Sequence, residues 1–524
     1  MTFNSPQQEY RPSSNPWLIA LAVMLATFLE VLDTTIAAVS LQHIAGSLSA
    51  TYDEATWVLT TYLVSNAIVL PSSGWFGAKF GRKRFLLACL LIFTVANLFC
   101  GLSVSLPMLL LMRIIQGAGG GALQPISQAV LLESFPKEQQ GRAMGLYGLG
   151  VVVAPVIGPV LGGWITDNYS WRWIFYMKVP LGLLAFWLIS KYVQDPPWVR
   201  NARAGKLDNM GFGLMALWLG CQEIFLDKGQ EEDWLGSSFI TWMIALAVIG
   251  LVLFVIYELT TDKPIVNLRL LRNRNFGFGT LLMGGVGALL YGMTTIIPIF
   301  LETLLGYPAF QSGVAMIPRG VGSLLAMPVA GKLTEKMDGR LLVAAGFVMF
   351  GWSTYSLSCV NLDISPWSLL WPLFLNGVAV GFLFVPLNVV SLGGVRLDQM
   401  SNATGIYNLM RNVGGSIGIS AVSTLLARRS QLHQVTLVGD LSPLSPAFRN
   451  RLHGLSGYLQ AHSSGGSSDS LHKAAIILYH TLVQQSYLWS FIDIFEWTTI
   501  FCGLCLLLIL LLKKAKSTGH ISVH

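Results

Sequence analysis

Two acidic residues inside an apolar segment are the groups of this sequence best placed to do chemistry. Glu30 and Asp33 are three residues apart, so a helix would carry both on one face. Two like charges in a low-dielectric bundle cannot both ionise cheaply, and we expect at least one to hold a proton near neutral pH. An ionised carboxylate at mid-membrane costs roughly 2.5–3.5 kcal/mol, which favours a role in proton coupling. The structural alternative is an Asp33 that is hydrogen-bonded to Thr34, Thr35 or another helix.

Arginines within apolar stretches are the candidate counter-charges. Arg113, Arg319 and Arg411 occupy such positions, where a cation is normally paired or functional. We place the transported proton on Asp33 and expect the neighbouring carboxylate of Glu30 to favour protonation of Asp33. We name Arg113 or Arg411 as the mobile counter-charge. Arg113 could instead reach the membrane interface with its long side chain. A static ion pair would explain either arginine equally well.

The groupings that enzymes need are missing from the predicted spans. None holds a nucleophile beside a base, a phosphate-binding loop or a cluster of metal ligands, and no histidine lies deep in one. The six cysteines fall in apolar segments, which argues against a disulfide framework or a zinc site. We therefore expect no enzyme, no metal and no cofactor, with a proton gradient as the energy source.

Composition indicates that these charges belong to a membrane protein. The 524 residues are 53% hydrophobic and only 11% charged, whereas about 25% charged residues are typical of soluble domains. Apolar runs of about 20 residues predict fourteen transmembrane helices. They lie at about 17–39, 54–76, 84–105, 107–131, 142–165, 173–193, 208–227, 237–258, 276–302, 310–331, 341–360, 366–392, 402–426 and 491–512. The first is too long, and its acids too central, for a cleaved signal peptide.

Basic residues gather in the loops on one side of these spans, which explains the formal charge of +7 without a nucleic-acid partner. The basic loops are Lys79 to Arg84, Lys137 to Arg142, Arg200 to Lys206, Arg269 to Arg274, Lys332 to Arg340 and Lys513 to Lys516. The positive-inside rule then predicts a multi-pass protein of the cell inner (cytoplasmic) membrane with both termini in the cytoplasm. One long segment lies outside, at about 428–490. It is predicted to hold a flexible tract, Ser463 to Ser470, followed by a helix from Leu471 toward Leu488.

The first and last six spans repeat one another at an offset of about 260 residues. Asp33 to Ile36 stands against Met293 to Ile296, and Gly117 stands against Gly377, so only one half keeps the acid. Duplicated bundles around a central site are typical of secondary transporters. We predict an all-α polytopic membrane protein of three parts: a six-helix bundle (1–195), two additional transmembrane helices (196–262) and a second six-helix bundle with the long outer loop (263–524).

Glycine-containing motifs recur in the first half of the sequence. After the second span, Gly74, Gly81, Arg82 and Lys83 form a tight basic loop, in which glycines allow the turn and cations favour the anionic cytoplasmic surface. The simpler interpretation is a positively charged inner loop with no further role. The fourth span contains Arg113-x-x-Gln116-Gly117.

The fifth span carries a stripe of small residues. Gly150, Ala154, Gly158 and Gly162 recur every four residues and predict close helix packing. Pro155 and Pro159 are predicted to add a bend, because each removes a backbone donor. The span also contains Gly145 and Gly163. The alternative is a packing stripe with no role in coupling.

Together these motifs resemble the major facilitator superfamily. The basic loop is similar to its cytoplasmic signature, and Gly145 with Gly158-Pro159-x-x-Gly162-Gly163 is similar to its antiporter motif. Val31 to Ile36, with Thr56-Trp57-Val58, narrows the resemblance to the fourteen-helix drug:proton antiporters of the EmrB/QacA subfamily, and the long outer loop is closer to the EmrB type. Two departures are Ala78, where an Asp usually braces the inner gate, and Ala154, where Gly is frequent.

The resemblance implies a proton-coupled multidrug efflux antiporter for hydrophobic or amphipathic toxic compounds. It also implies a periplasmic membrane-fusion adaptor and an outer-membrane channel as partners if the host is Gram-negative. The alternatives are an exporter of an endogenous siderophore, fatty acid or peptide, and a transporter-like sensor. A pocket for bulky apolar or cationic substrates would be lined by Gln116, Trp57, Tyr62, Tyr147, Arg319, Phe384 and Tyr407. More than half of such aromatic residues normally face lipid or pack internally.

Overall fold

The computed structural model describes residues 14–136, 139–196, 208–262, 264–362, 364–396, 399–441, 445–462 and 467–513. Basic-loop residues Lys137, Arg200 to Lys206, Lys514 and Lys516 lie outside them. No β-strand occurs in the described ranges. The helices are α1 (Pro16–Ala38), α2 (Leu41–Ser47), α3 (Tyr52–Phe80), α4 (Arg82–Gly101), α5 (Leu106–Gly120), α6 (Leu123–Ser134), α7 (Gln140–Asn168), α8 (Trp173–Tyr176), α9 (Lys178–Tyr192), α10 (Asn209–Lys228), α11 (Ser238–Thr260), α12 (Arg274–Ile299), α13 (Ala309–Ala315), α14 (Ile317–Lys336), α15 (Gly339–Ser358), α16 (Pro366–Leu392), α17 (Met400–Val438), α18 (Pro446–His462) and α19 (Ser467–Ile509).

Every predicted span coincides with one helix or with two successive helices, so the predicted all-α fold is confirmed. Eleven of the described helical segments are long and apolar enough to cross a membrane. The other three predicted spans coincide with α3, α10 and α17, whose polar residues lower their hydropathy. The count of fourteen membrane crossings and the boundaries of the three predicted parts stay predictions.

Capping residues fix where several of these helices begin. Asn15 Oδ1 accepts a hydrogen bond from the Trp17 amide at 3.0 Å and opens α1. Thr51 and Glu54 form a reciprocal capping box at the start of α3, with distances of 2.8 and 3.2 Å. Such caps satisfy backbone donors that the first turn of a helix leaves unpaired.

Three predicted spans are each built from two helices in close succession. The fourth span is α5 followed by α6, the sixth is α8 followed by α9, and the tenth is α13 followed by α14. The break in the fourth span lies at Gly121, where a Cβ atom would collide with the carbonyl oxygen of Asn66 on α3. Only glycine permits this approach of two backbones. The approach brings Tyr62 and Asn66 of α3 beside the interior face of α5.

The C-terminal end of the described chain packs beside the starts of α12 and α15 at one end of the bundle. Arg274, at the start of α12, donates to the Leu511 carbonyl at 2.7 Å, and Arg340, at the start of α15, donates to the Leu512 carbonyl at 3.1 Å. We call this end the terminal side. The opposite end, which carries α18, is called the distal side.

The N-terminal and C-terminal halves close against each other on the terminal side. The backbones of Gly141 on α7 and Gly331 on α14 meet so closely that a Cβ on either would lie 2.6 Å from the other's carbonyl oxygen. Buried Gln128 donates to Asn388 and accepts from Asn408 across the same boundary. Toward the distal side the halves separate around a cavity, so the structure has one closed and one open end.

The two inserted helices pack beside the N-terminal half. Helix α10 contacts α11 and α3 and also reaches α17, so one of its faces contributes to the cavity. Helix α11 exposes apolar side chains such as Val248, Val252 and Ile256 on its outer face. Lipid would cover such a surface in a membrane.

The distal segment is more helical than the sequence suggested. Helix α17 continues to Val438, well past the predicted end at about residue 426. The predicted flexible tract is wrong for residues 467–470, which form the first turn of α19, while residues 463–466 lie outside the described ranges. The helix predicted from Leu471 toward Leu488 is confirmed. Hydropathy could not mark these extensions, because a helix outside the membrane needs no continuous apolar run.

Candidate functional site

Asp33 lies buried at the centre of a polar network within the N-terminal half. It forms ion pairs with Arg113 on α5 and with Lys178, the first residue of α9. Gln116 Nε2 donates to Asp33 Oδ1 at 2.8 Å and to Asn97 Oδ1 at 3.0 Å. The network therefore joins α1, α4, α5 and α9. Arg113, the predicted counter-charge, contacts Asp33 directly in this conformation.

The two cations are held by further contacts. Arg113 Nε donates to the Val58 carbonyl at 2.8 Å, and its guanidinium carbon lies 4.3 Å from the centroid of the Tyr62 ring. Lys178 Nζ lies 4.8 Å from the Phe175 ring centroid. Cation–π contacts of this kind stabilise a desolvated charge. The ionised cluster carries one negative and two positive charges, so protonation of Asp33 would leave two buried cations beside each other.

Lys178 was missed in the sequence analysis. The signal was present, because Lys178 stands inside the predicted span 173–193 and a lysine within such a span is normally paired or functional. Its ion pair with Asp33 depends on the short helix α8, which sets the start of α9 at the depth of the acid. That depth cannot be derived from hydropathy.

Glu30 has a different environment from Asp33. It is 4% exposed and accepts a hydrogen bond from Asn66 Nδ2 at 3.0 Å, while its Oε2 atom has no hydrogen-bond partner among the described residues. Glu30 lines the cavity, whereas Asp33 does not. Thr34 and Thr35 donate to carbonyls of their own helix rather than to Asp33. Of the structural alternatives for Asp33, bonding to other helices is therefore the one observed.

The two buried arginines of the C-terminal half contact neutral oxygens. Arg411 on α17 donates to Gln124 on α6, which links the two halves beside the cavity. Arg319 donates to Thr294 Oγ1 at 3.0 Å and to the Leu290 carbonyl at 3.2 Å, both on α12. Neither arginine forms an ion pair with a carboxylate within the described ranges. The mobile role of Arg411 stays a prediction.

The residues predicted to line a substrate pathway are distributed over several environments. Tyr62 lines the cavity, and Gln116 belongs to the Asp33 network. Trp57 lies on the distal rim, with its ring centroid 5.6 Å from Lys228 Nζ. The other four residues are buried outside the cavity wall: Tyr147, Arg319, Phe384 and Tyr407. Their contact with substrate in another conformation stays a prediction.

The cavity between the halves has a volume of about 630 Å³. Cavities of roughly 300–1,000 Å³ suit drug-sized molecules. Its wall combines apolar side chains with charged ones from both halves and from the inserted helix α10. The charged residues are Arg113, Glu30, Glu223, Asp227, Glu231 and Glu302.

Comparison with known proteins identifies the family. Residues 23–419 match the sequence profile of the Major Facilitator Superfamily. The chain belongs to this superfamily. It is 36% identical over 450 residues to the Multidrug export protein EmrB of Haemophilus influenzae, covering 83% of this chain and 85% of that protein. It is 35% identical over 480 residues to the Fatty acid resistance protein FarB of Neisseria gonorrhoeae, covering 91% and 92%.

The fold agrees with this assignment. The human organic anion transporter MFSD10 superposes with a TM-score of 0.60 at 12% identity, covering 94% of this chain and 99% of that one. The predicted superfamily, its EmrB-type branch and the major facilitator fold are thereby confirmed.

The antiporter motif of the superfamily lies on α7, which packs against both halves. A Cβ atom on Gly158 would collide with Thr35 of α1, and one on Gly145 would lie 2.9 Å from the Met327 carbonyl of α14. The predicted close packing is confirmed, and buried Ala154 fits the same stripe. Gly163 has open space around it. The helix continues through both prolines, Pro155 and Pro159, which line the cavity.

The basic loop of the superfamily is braced although Ala78 carries no charge. Arg82 forms a buried ion pair with Glu133 on α6. Asp195 accepts a hydrogen bond from the Lys83 amide at 2.8 Å, and its carboxylate lies beside Gly81, whose φ of +85° favours glycine. The neighbouring Gly74 packs on Asn402 of the C-terminal half. Two carboxylates of the N-terminal half, Glu133 and Asp195, therefore hold this loop.

Proposed function

We propose that this protein exports hydrophobic and amphipathic toxic compounds across the cytoplasmic membrane in exchange for protons. The observation that carries the proposal is the buried cluster of Asp33, Arg113 and Lys178 next to a drug-sized cavity. The relatives named for multidrug export support the substrate class. The orientation predicted from the basic loops makes the terminal side cytoplasmic and the structure outward-open.

Protonation of Asp33 is the step that couples the gradient to the conformation. Ionised Asp33 ties α1 to α5 and α9 through its two cations. When it takes up a proton from the open side, the two cations lose their shared partner and repel each other in a low-dielectric interior. The helices then favour a second arrangement in which the terminal side opens. Substrate binding and proton binding compete because they favour different states.

Opening of the terminal side requires the loss of specific contacts between the halves. These include the hydrogen bonds of Gln128 with Asn388 and Asn408, and the bond from Arg411 to Gln124. On the surface, Arg142 and Glu335 form an ion pair at 2.9 Å across the same boundary. Neutral hydrogen bonds contribute about 0.5–1.5 kcal/mol each and those to a charged group about 1.5–3 kcal/mol, while an exposed ion pair contributes about 0–1 kcal/mol, so a small set can be exchanged at each cycle.

Transport in reconstituted vesicles tests the proposal. Asp33→Asn should abolish accumulation of substrate driven by a pH gradient, while exchange of labelled for unlabelled substrate continues without a gradient. Asp493→Asn is a matched control, because Asp493 is also ion-paired, to Arg429 at 3.2 Å, but lies on α19 outside the Asp33 network. Equal gradient-driven accumulation by wild type and Asp33→Asn would refute the proposal.

Export of a fatty acid is the second candidate, and the similarity to FarB favours it. The mechanism would be the same and the cargo would be a carboxylate. A long-chain fatty acid should then displace a bound toxic compound from the purified protein. Absence of competition would leave toxic compounds as the cargo.

A periplasmic adaptor is the proposed partner of the distal segment. The distal parts of α17 and α19, with α18 between them, expose apolar side chains that a membrane-facing role does not explain, including Val435, Tyr458, Ile476 and Tyr479. Exposed apolar patches mark interaction sites. A docked adaptor would continue the export path through a second membrane.

A further inference from the structure

The inserted helix α10 presents a row of acidic residues to the cavity. Glu223 and Asp227 are four residues apart and lie along one face of the helix, Glu231 lies in the turn beyond the helix end at Lys228, and all three line the cavity. The helix reaches both halves: Thr60 of α3 donates to Asp227, and Ser416 of α17 donates to Glu223. The helices that distinguish this chain from its own six-helix repeat therefore contribute charge to the transport site.

Glu223, like Asp227, accepts a hydrogen bond from a single hydroxyl group. It is 7% exposed, and the Ser416 hydroxyl lies 2.9 and 3.0 Å from its two carboxylate oxygens. A hydroxyl has one proton, so it can donate to only one oxygen at a time. Glu223 forms no ion pair within the described ranges, whereas Glu231 pairs with Lys228 at 2.7 Å. A buried carboxylate that receives a hydrogen bond from only one neutral donor can accept further strong hydrogen bonds from a group in the cavity.

The rest of the cavity wall also carries net negative charge. Among the described residues, five carboxylates line it against one basic residue, Arg113, which is already paired with Asp33. Glu30 also lines the cavity and is 4% exposed, and its fully buried Oε2 atom has no hydrogen-bond partner among the described residues. Arg411 is held by Gln124 and does not line the cavity. A concave, mostly apolar wall with excess negative charge concentrates cations.

We propose that Glu223 is a recognition carboxylate for the positively charged group of amphipathic organic cations, with Glu30 as a second carboxylate of the same cavity wall. The inference rests on the proposed function, since it takes the cavity as the transport site. The apolar wall accommodates the body of the molecule, and the two carboxylates select its charge. Anions of the same shape gain nothing from Glu223.

Two probes of the same shape and opposite charge test this inference. Tetraphenylphosphonium and tetraphenylborate are titrated into the purified full-length protein by calorimetry, with subtraction of protein-free micelles. Glu223→Gln should weaken tetraphenylphosphonium binding roughly ten- to hundredfold, the range expected for one charge-assisted contact. Tetraphenylborate affinity should stay equal or rise. Equal weakening of both probes, or no change in either, would overturn the inference.

Three further variants separate recognition from structure. Glu223→Asp should retain a measurable part of the tetraphenylphosphonium affinity, and Glu232→Gln, an acid of the same insert outside the cavity, should retain all of it. Ser416→Ala removes the only hydroxyl on Glu223, so cation affinity should hold or increase. If Ser416→Ala loses it as Glu223→Gln does, the pair is a structural link and the inference is wrong.

The proposed function can fail independently of this inference. If wild type binds tetraphenylphosphonium through Glu223 but no pH gradient drives its transport, the export proposal fails and the binding site stands. If wild type transports it and Glu223→Gln binds both probes normally, the binding inference fails and the export proposal stands.

Discussion

Replacing Lys178 with methionine removes one of the two cations that hold Asp33 ionised. A unit charge about 4 Å away contributes about 4 kcal/mol at an effective dielectric constant of about 20. About 1.4 kcal/mol corresponds to one pH unit, so the full effect would be about three units. Arg113 remains in contact with Asp33, and water can enter the space left by the ammonium group. We therefore expect substrate-induced proton exchange by Lys178→Met to move to higher pH by about one to three units.

The assay is proton release from purified protein on addition of substrate, measured over a range of pH values. With Lys178 gone, Asp33 is protonated more easily, so the pH at which release is half-maximal rises. Lys191→Met is the matched control, because Lys191 lies at the other end of α9, 5.0 Å from the Trp187 ring centroid and outside the network. An unchanged profile for Lys178→Met, or a shift to lower pH, would refute the account of the cluster. A similar shift in the control would show that the effect is not specific.

Three further outcomes are expected. Gly158→Ala forces a methyl group against α1 and should lower the free energy of unfolding by about 1–3 kcal/mol. The variant should insert normally but transport less. Gly163→Ala places its methyl group in open space and should retain wild-type transport. A reporter fused after Lys206 should report a cytoplasmic location and one at Gly465 an external location. A cytoplasmic signal at Gly465 would contradict the predicted topology. Deleting residues 440–470 should lower efflux from intact Gram-negative cells but leave transport in vesicles largely unchanged. Equal loss in both systems would show that the segment is needed for folding and not for docking.

The position and type of the membrane helices could be predicted because hydrocarbon requires about twenty apolar residues in each span. A buried cation as the partner of Asp33 followed from a similar rule, and of the two candidates, Arg113 and Arg411, the structure pairs it with Arg113. The small residues of α7 predicted close helix packing, and the close contact of Gly158 with Thr35 of α1 confirms it.

Other features depend on tertiary arrangement. The contact of Glu223 with Ser416 requires the inserted helix α10 to reach across to α17 of the C-terminal half, which no periodicity encodes. Lys178 stands at the start of a helix, where a lysine usually reaches the interface, and only the short helix α8 sets it at the depth of Asp33. The carboxylates that brace the basic loop, Glu133 and Asp195, are distant in sequence from it.

The central claim is that Asp33 carries the coupled proton. Its most direct test is the number of protons that purified protein releases when substrate binds, compared between wild type and Asp33→Asn. The account predicts release from wild type and none from Asp33→Asn, with Asp33→Glu retaining release at a shifted pH. If Asp33→Asn releases as many protons as wild type, the coupling site lies elsewhere and Glu30 becomes the next candidate.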